Sequence, residues 1–262
     1  MTGPGPGAEA APAAPDPLLL GASAMVFVAD PEHPTLADDE AHHLFDVLRL
    51  QPGEPVVAAD GAGRWVPCRV ESHARSASSG RDRDGLVLEP VGPLRCQPAR
   101  RPSVAVAFAP TKGDRPEWAV QKLTELGVDI IVPLRTARSV VRWEGERGRR
   151  SVERLRRVAT EAAAQCRRPR LPMVTEVATL DEVAVLAGAP PVLAEPGGPP
   201  PDLGHTVVAI GPEGGWAPGE LDLPYGRVGL GPTVLRAETA AVAAGTLLGA
   251  LRSGSVAAAY PV

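Results

Sequence analysis

Two glycine-rich segments in the C-terminal third could build one binding pocket. The first is Ile210-Gly211-Pro212-Glu213-Gly214-Gly215, entered from the apolar run Val207-Val208-Ala209. The second is Leu230-Gly231-Pro232-Thr233-Val234-Leu235-Arg236-Ala237-Glu238-Thr239-Ala240, entered from Val228-Gly229. Glycine lets a backbone approach a ligand closely and offers amide donors with no side chain in the way. A Gly-Pro-Glu-Gly sequence alone is most often a plain turn; the pair, in this order and spacing, is more specific. No Gly-x-x-x-x-Gly-Lys-Ser/Thr is present and no Gly-x-Gly-x-x-Gly follows a strand, which removes P-loop hydrolysis and an ordinary dinucleotide site. Cys68, Cys96 and Cys166 lie far apart, and no spacing suits a metal. Cys166 is either a nucleophile or, more commonly for such a residue, a small buried hydrophobe.

Taken together, the two segments resemble the RsmE family of ribosomal RNA methyltransferases, SPOUT-superfamily enzymes that methylate N3 of a uracil in small-subunit RNA. The family pattern is close to Ile-Gly-Pro-Glu-Gly-Gly followed by Leu-Gly-x-x-Val-Leu-Arg-Thr-Glu-Thr-Ala. Here Ala237 stands at the usual Thr. The resemblance continues upstream in Thr111-Lys112-Gly113-Asp114, in Gln121-Lys122-Leu123-Thr124-Glu125-Leu126-Gly127-Val128 and in Gln165-Cys166-Arg167-Arg168, where Ala164 replaces a Glu. It begins at His43-Leu44-Phe45-Asp46-Val47-Leu48-Arg49, with Asp46 in place of an Arg, and extends to Leu251.

This resemblance implies an α/β fold: a SPOUT-type trefoil-knotted methyltransferase domain with a mostly parallel sheet, preceded by a small β-barrel PUA-like domain. It implies S-adenosyl-L-methionine as cofactor, with no metal. Cofactors of α/β sheets sit beyond strand carboxyl ends. The cofactor-holding residues would then be Leu193, Glu195 and Pro196 on one strand end and Ile210, Gly211, Pro212, Glu213, Gly214 and Gly215 on the next. Leu230, Gly231, Val234, Leu235, Arg236 and Thr239 complete the set. A uracil N3–H is weakly acidic, and each pKa unit above the working pH costs about 1.4 kcal/mol of ionisation. Arg236 could offset that cost at the uracil oxygens, or it pairs with Glu213 or Glu238 to hold the loop. Glu238 is either a base or a first-turn carboxylate favoured by the helix dipole.

The implied partner is small-subunit ribosomal RNA, within an assembled or assembling 30S particle, its target base drawn out of the stack. Between Arg135 and Arg170 lie twelve arginines and four glutamates, in a chain of formal net charge −4. Such a block attracts phosphate or forms a solvated helix face. Arg49, Lys112, Lys122, Arg138, Arg142, Arg167 and Arg168 are the expected RNA contacts. His43 is as suited to a structural hydrogen bond as to a phosphate. Two further readings stand beside N3 methylation: a SPOUT enzyme acting on a ribose hydroxyl or another base, and an RNA-binding protein without catalysis.

Positioning these residues takes two domains, and 262 residues suffice for them. No apolar run is long enough to span a membrane, no Lys or Arg precedes Arg49 to flank a signal peptide, and three dispersed cysteines suit a reducing cytoplasm. Residues 1–22 read as a disordered Ala/Gly/Pro tail. Residues 23–98 read as the β-rich domain. Val56-Val57-Ala58-Ala59 and Arg64 to Val70 flank the turn Asp60-Gly61-Ala62-Gly63, and Leu86-Val87-Leu88 adds a strand after a polar loop at 72–85. Residues 99–262 alternate strands and helices, as a parallel sheet demands. Strands are expected at Val104–Phe108, Val128–Leu134, Val192–Ala194, Val207–Ile210 and Val228–Leu230. Helices are expected from Asp114 (boxed by Glu117), from Ser151 to Cys166, and from Glu238 to Leu251. The last has few charges, with Gly245 and Gly249 on one face. It packs against its own sheet or, as the resemblance implies, forms a homodimer.

Overall fold

The computed structural model describes residues 16–73 and 85–257. The expected tail at 1–15 and most of the polar loop, 74–84, lie outside the described residues.

The N-terminal unit holds α1 (Pro17–Leu20), β1 (Ala24–Phe27), α2 (Asp38–His42), a π-helical turn (His43–Val47), β2 (Pro55–Ala59), β3 (Arg64–His73), β4 (Gly85–Pro90) and β5 (Arg95–Cys96). Its strands run in the order β1-β2-β3-β4, with β5 paired to β3. Successive strand residues point to opposite faces, and here both faces are covered. Val56 and Ala58 join Val26, Val66, Val70 and Leu44 of the π-helical turn on one side. Val57 and Ala59 join Met25, Trp65 and Leu19 on the other. Two covered faces explain why Val56 to Ala59 is apolar without alternation. The second cover comes from residues expected in the tail: Asp16 caps α1 through Leu18 N at 3.0 Å, and Leu19 is buried. That segment is ordered because its leucine fills a sheet face.

The second unit comprises β6 (Ala105–Phe108), α3 (Arg115–Glu125), β7 (Ile130–Pro133), α4 (Gly145–Gln165), β8 (Met173–Val174), α5 (Leu180–Ala187), β9 (Val192–Ala194), β10 (Val207–Ile210), α6 (Pro218–Leu221), β11 (Arg227–Val228) and α7 (Ala237–Arg252). Its six strands are parallel, in the order β11-β9-β10-β6-β7-β8. Val106, Phe108, Val208 and Ile210 face a core closed by Leu123 of α3, Leu155 of α4 and Leu248 of α7. Ala105, Ala107, Val207 and Ala209 face Val183 of α5 and Trp216.

Several boundaries differ from the sequence reading; the strand expected at Val128–Leu134, for one, is Ile130–Pro133. Asp114 makes no side-chain cap on α3, its φ/ψ of −91/4 lying outside the extended N-cap range, and Glu117, expected to box it, is drawn into an ion pair with Arg154 of α4. Helix α4 begins six residues before Ser151, at Gly145, where Gly148 packs under the Trp143 backbone. Strand β11 pairs with β9 only through Arg227 and Val228, so Gly229 and Leu230 belong to the loop.

Arg167 and Arg168 lie in the turn after α4, Arg167 reaching into the first unit and Arg168 into the second. Arg167, at φ +57, donates to the carbonyls of Ala22 (3.0 Å) and Ser23 (2.8 Å). Leu171 N donates to Gly61 O at 2.8 Å, so the first unit's hairpin turn is held as well. Arg168 donates to Thr124 O and faces Asp129. Burial pushes its pKa down to about 10, with Asp129 opposing the shift. Asp129 also accepts from Val104 N and from Arg252, whose side chain is 4% exposed. These two arginines, expected on RNA, are therefore structural: each guanidinium is spent on protein acceptors. Asp129→Ala strands two buried guanidiniums, so it should lower unfolding free energy by about 3 kcal/mol. Urea denaturation checks this; a loss under about 1 kcal/mol, the scale of an exposed pair, would contradict the clamp.

Candidate cofactor cavity and RNA face

At the carboxyl ends of β9, β10 and β11 lies an open cavity of about 240 Å³. Its walls are Ala194 to Pro196, Ile210 to Glu213, Gly215, Trp216, Leu230, Gly231 and Thr233 to Leu235, with Ala237 and Ala240 of α7 beneath. Three parallel strands end here and their loops turn away together. Gly211 is needed for close approach: a Cβ there would sit 3.1 Å from the Trp216 ring. Gly231 is needed for its conformation, φ +147. Trp216 ties two strand ends together, its Nε1 donating to Ala194 O at 3.1 Å.

Most of the sequence-expected cofactor residues meet in this wall. Leu193, Gly214, Arg236 and Thr239 do not. Leu193 points to the opposite sheet face, among Ala107 and Val183. Gly214 stands outside, its carbonyl accepting from Arg138 Nη1 at 3.0 Å. Arg236 and Thr239 are exposed at the start of α7. Glu195 lines the cavity but is held by Arg227 Nε at 3.1 Å.

Arg236 is the N-cap residue of α7, and its side chain has no hydrogen bond or ion pair among the described residues. It therefore does not hold the loop through Glu213 or Glu238. Glu238 instead faces Arg115 at 3.4 Å with its side chain 11% exposed. That pairing fixes the first turn of α7 against α3. Burial raises the Cys166 thiol pKa, so it is no activated nucleophile.

The expected RNA residues split into two groups. Arg49 (φ +56), Lys112 and Arg142 are exposed, and their side chains make no hydrogen bond or ion pair among the described residues. Arg138 is exposed and joined to the cofactor loop. Lys122 is held by Glu125 at 2.9 Å, and Arg167 and Arg168 are the structural pair above. Within α4, Arg149 and Arg150 pair with Glu146, Arg154 with Glu117 and Arg156 with Glu176. Much of the arginine block is thus internally neutralised.

An RNA methyltransferase domain model matches residues 99–249, and an RNA methyltransferase PUA domain model matches residues 36–76. The ribosomal RNA small subunit methyltransferase E of Mycobacterium bovis is 35% identical over 252 residues, spanning 88% of this chain and 93% of that protein. The chain belongs to the ribosomal RNA small subunit methyltransferase E family. A Legionella pneumophila protein solved with the cofactor SAM bound is 25% identical, with a TM-score of 0.71 over 86% of this chain and 96% of its own. The family member of Neisseria gonorrhoeae, bound to S-adenosyl methionine, shares the fold at 24% identity and a TM-score of 0.68, covering 87% of this chain and 97% of its own.

Within this methyltransferase E chain, sequence reasoning placed the cofactor at the loops Ala194 to Gly197, Gly211 to Gly215 and Leu230 to Leu235 but missed Trp216, Ala237 and Ala240 in the cavity wall. Trp216 carried a usable signal, since an aromatic directly after Gly214-Gly215 is placed to cover a strand end. The alanines carried none: their role is only to be small beneath the cavity. Among the described residues no helix is long and apolar enough to cross a membrane.

Proposed function

We propose that this S-adenosyl-L-methionine-dependent ribosomal RNA methyltransferase acts on N3 of one uridine in 16S RNA. The observation that carries the reading is the exposed, unpartnered guanidinium of Arg236, which stands in the chain between Leu235 and Ala237 of the cavity wall. The cavity fits the cofactor's mixed apolar and polar body. A backbone wall supplies amides and carbonyls, Ile210, Leu230 and Leu235 supply apolar contact, and the Trp216 ring closes the base. When bound, the cofactor supplies a methyl group on a sulfonium, already an activated donor.

The chain's own residues then hold the acceptor in line and favour its deprotonated form. A positive charge beside the uracil oxygens stabilises the anion left when N3–H ionises. Arg236 is free to give that charge, and Glu238 keeps α7 in place through Arg115. Arg49, Lys112, Arg138 and Arg142 remain available for phosphates, and the N-terminal unit, 23–98, serves as the PUA-like RNA-binding domain. The RNA is met within an assembled or assembling 30S particle, in the cytoplasm. Nucleoside mass spectrometry of small-subunit RNA from a deletion strain tests the reading. One 3-methyluridine should disappear; loss of a ribose-methylated nucleoside instead would contradict it.

The working unit is a homodimer through α7. Ala241, Ala244, Gly245 and Leu248 face inward, and a Cβ on Gly245 would meet Leu123 at 2.8 Å. The Gly245/Gly249 face thus packs on α3, not on a partner. The outward stripe is Val242, Ala243, Thr246, Leu247 and Ala250, apolar and incompletely buried, which suits a second copy. Light scattering should give twice the chain mass for the wild type and the single chain mass for Leu247→Arg. An active wild-type monomer would remove the dimer.

A further inference from the structure

A second cavity, of about 230 Å³, lies beside the first at the same sheet edge. It opens between Pro110, which follows β6, and the segment from Leu134 to Glu144, which follows β7. The two cavities share no wall residue. Arg138 bridges them: its neighbours Ala137 and Ser139 line the second cavity, while its guanidinium bonds Gly214, whose neighbours Glu213 and Gly215 line the first. Ala137 N adds a bond to Glu220 Oε1 at 2.8 Å.

Resting on the function proposed above, we propose that this second cavity holds the base of an RNA nucleotide adjoining the methyl acceptor. Pro110, Val141 and the half-buried Trp143 offer an apolar bed for a heteroaromatic ring. Arg135 and Arg142 stand in the wall, both exposed; Arg142 has no hydrogen bond or ion pair among the described residues, and the Arg135 guanidinium makes no hydrogen bond there but lies within electrostatic reach of Glu182 of α5. Two exposed guanidiniums at the rim take the phosphates on either side of a base seated between them. Glu144 also lines the wall and would accept from an exocyclic amino group, favouring adenine, cytosine or guanine over uracil. A base in this position is not the methylated one, because Arg138 separates it from the cofactor wall. It is the neighbour that fixes the register of the strand, and the Arg138–Gly214 bond connects its seat to the cofactor loop.

The test uses the full-length protein and small-subunit RNA, with 2-aminopurine placed singly along the stretch that the protein protects from nuclease. One position next to the methylated nucleotide should change fluorescence on binding, and the change should vanish with Val141→Trp, which fills the cavity, while cofactor affinity is kept. Arg142→Ala, at an exposed position, supplies a second readout. It should weaken RNA binding about ten-fold and lower the salt slope of binding by about one, the signature of one lost phosphate contact. No position-specific change, or a change that survives Val141→Trp, or a salt slope unaltered by Arg142→Ala, would overturn the inference. Methylation of a group other than uracil N3 beside an intact fluorescence change would overturn the proposed reaction and leave this pocket standing.

Discussion

Arg236→Gln should lower kcat/KM for RNA methylation by about 10²- to 10³-fold, the scale of removing one charge-stabilising group from an active site. Its side chain lies outside the cavity wall, so cofactor affinity should stay within about two-fold, the level at which no direct contact has been lost. Helix α7 should stay intact, because Arg236 caps it through backbone geometry and makes no side-chain cap bond. The pH profile separates charge stabilisation from a structural role. A bound uracil beside the guanidinium ionises at lower pH than one without it. The variant's rate should therefore reach its plateau about two pH units higher than the wild type's, matching a hundred-fold loss. An unshifted profile, or lost cofactor binding, would contradict the assignment.

Gly231→Val should weaken binding of S-adenosylhomocysteine by about a hundred-fold or more, from two effects acting together. At φ +147 an L side chain is strained, at a cost on the order of 1–3 kcal/mol. The added side chain also projects from a residue of the cavity wall. No atom lies within 4 Å of the added Cβ, so the fold itself should tolerate the change. Gly214→Val is the matched control: its Cβ would meet Arg138 at an ordinary 3.7 Å, outside the wall, and binding should hold. Calorimetry in the presence of a chelator reads both. Equal losses at the two positions would mean that the loop, rather than the cavity, governs affinity.

The cavity was legible in the sequence because loops that leave adjacent strand ends together need glycines at fixed places after apolar runs, as at Gly211 and Gly231. Val207 to Ile210 and Val192 to Ala194 read directly as strands because parallel strands buried on both faces are continuously apolar. Arg167 and Arg168 misled for a physical reason. An arginine pair reads the same whether it meets phosphate or buried carbonyls, and only the fold places Ala22, Ser23, Thr124 and Asp129 around them. Glu117 failed as a capping residue because Arg154, thirty-seven positions away in sequence, competes for it. Gly245 read as part of a face for the chain's own sheet or for a second copy, and α3 packs against it instead. The second cavity left no motif, since Pro110 and Trp143 come from separate loops joined only by the strand order β6-β7.

The most direct measurement is transfer of a labelled methyl group from S-adenosyl-L-methionine by the purified protein to small-subunit RNA lacking the modification, followed by digestion to nucleosides. The label should co-elute with 3-methyluridine, at one site, and be absent with Arg236→Gln on the same timescale. Label in a 2′-O-methyl nucleoside, in a different base, or undiminished with the variant would contradict N3 methylation assisted by Arg236.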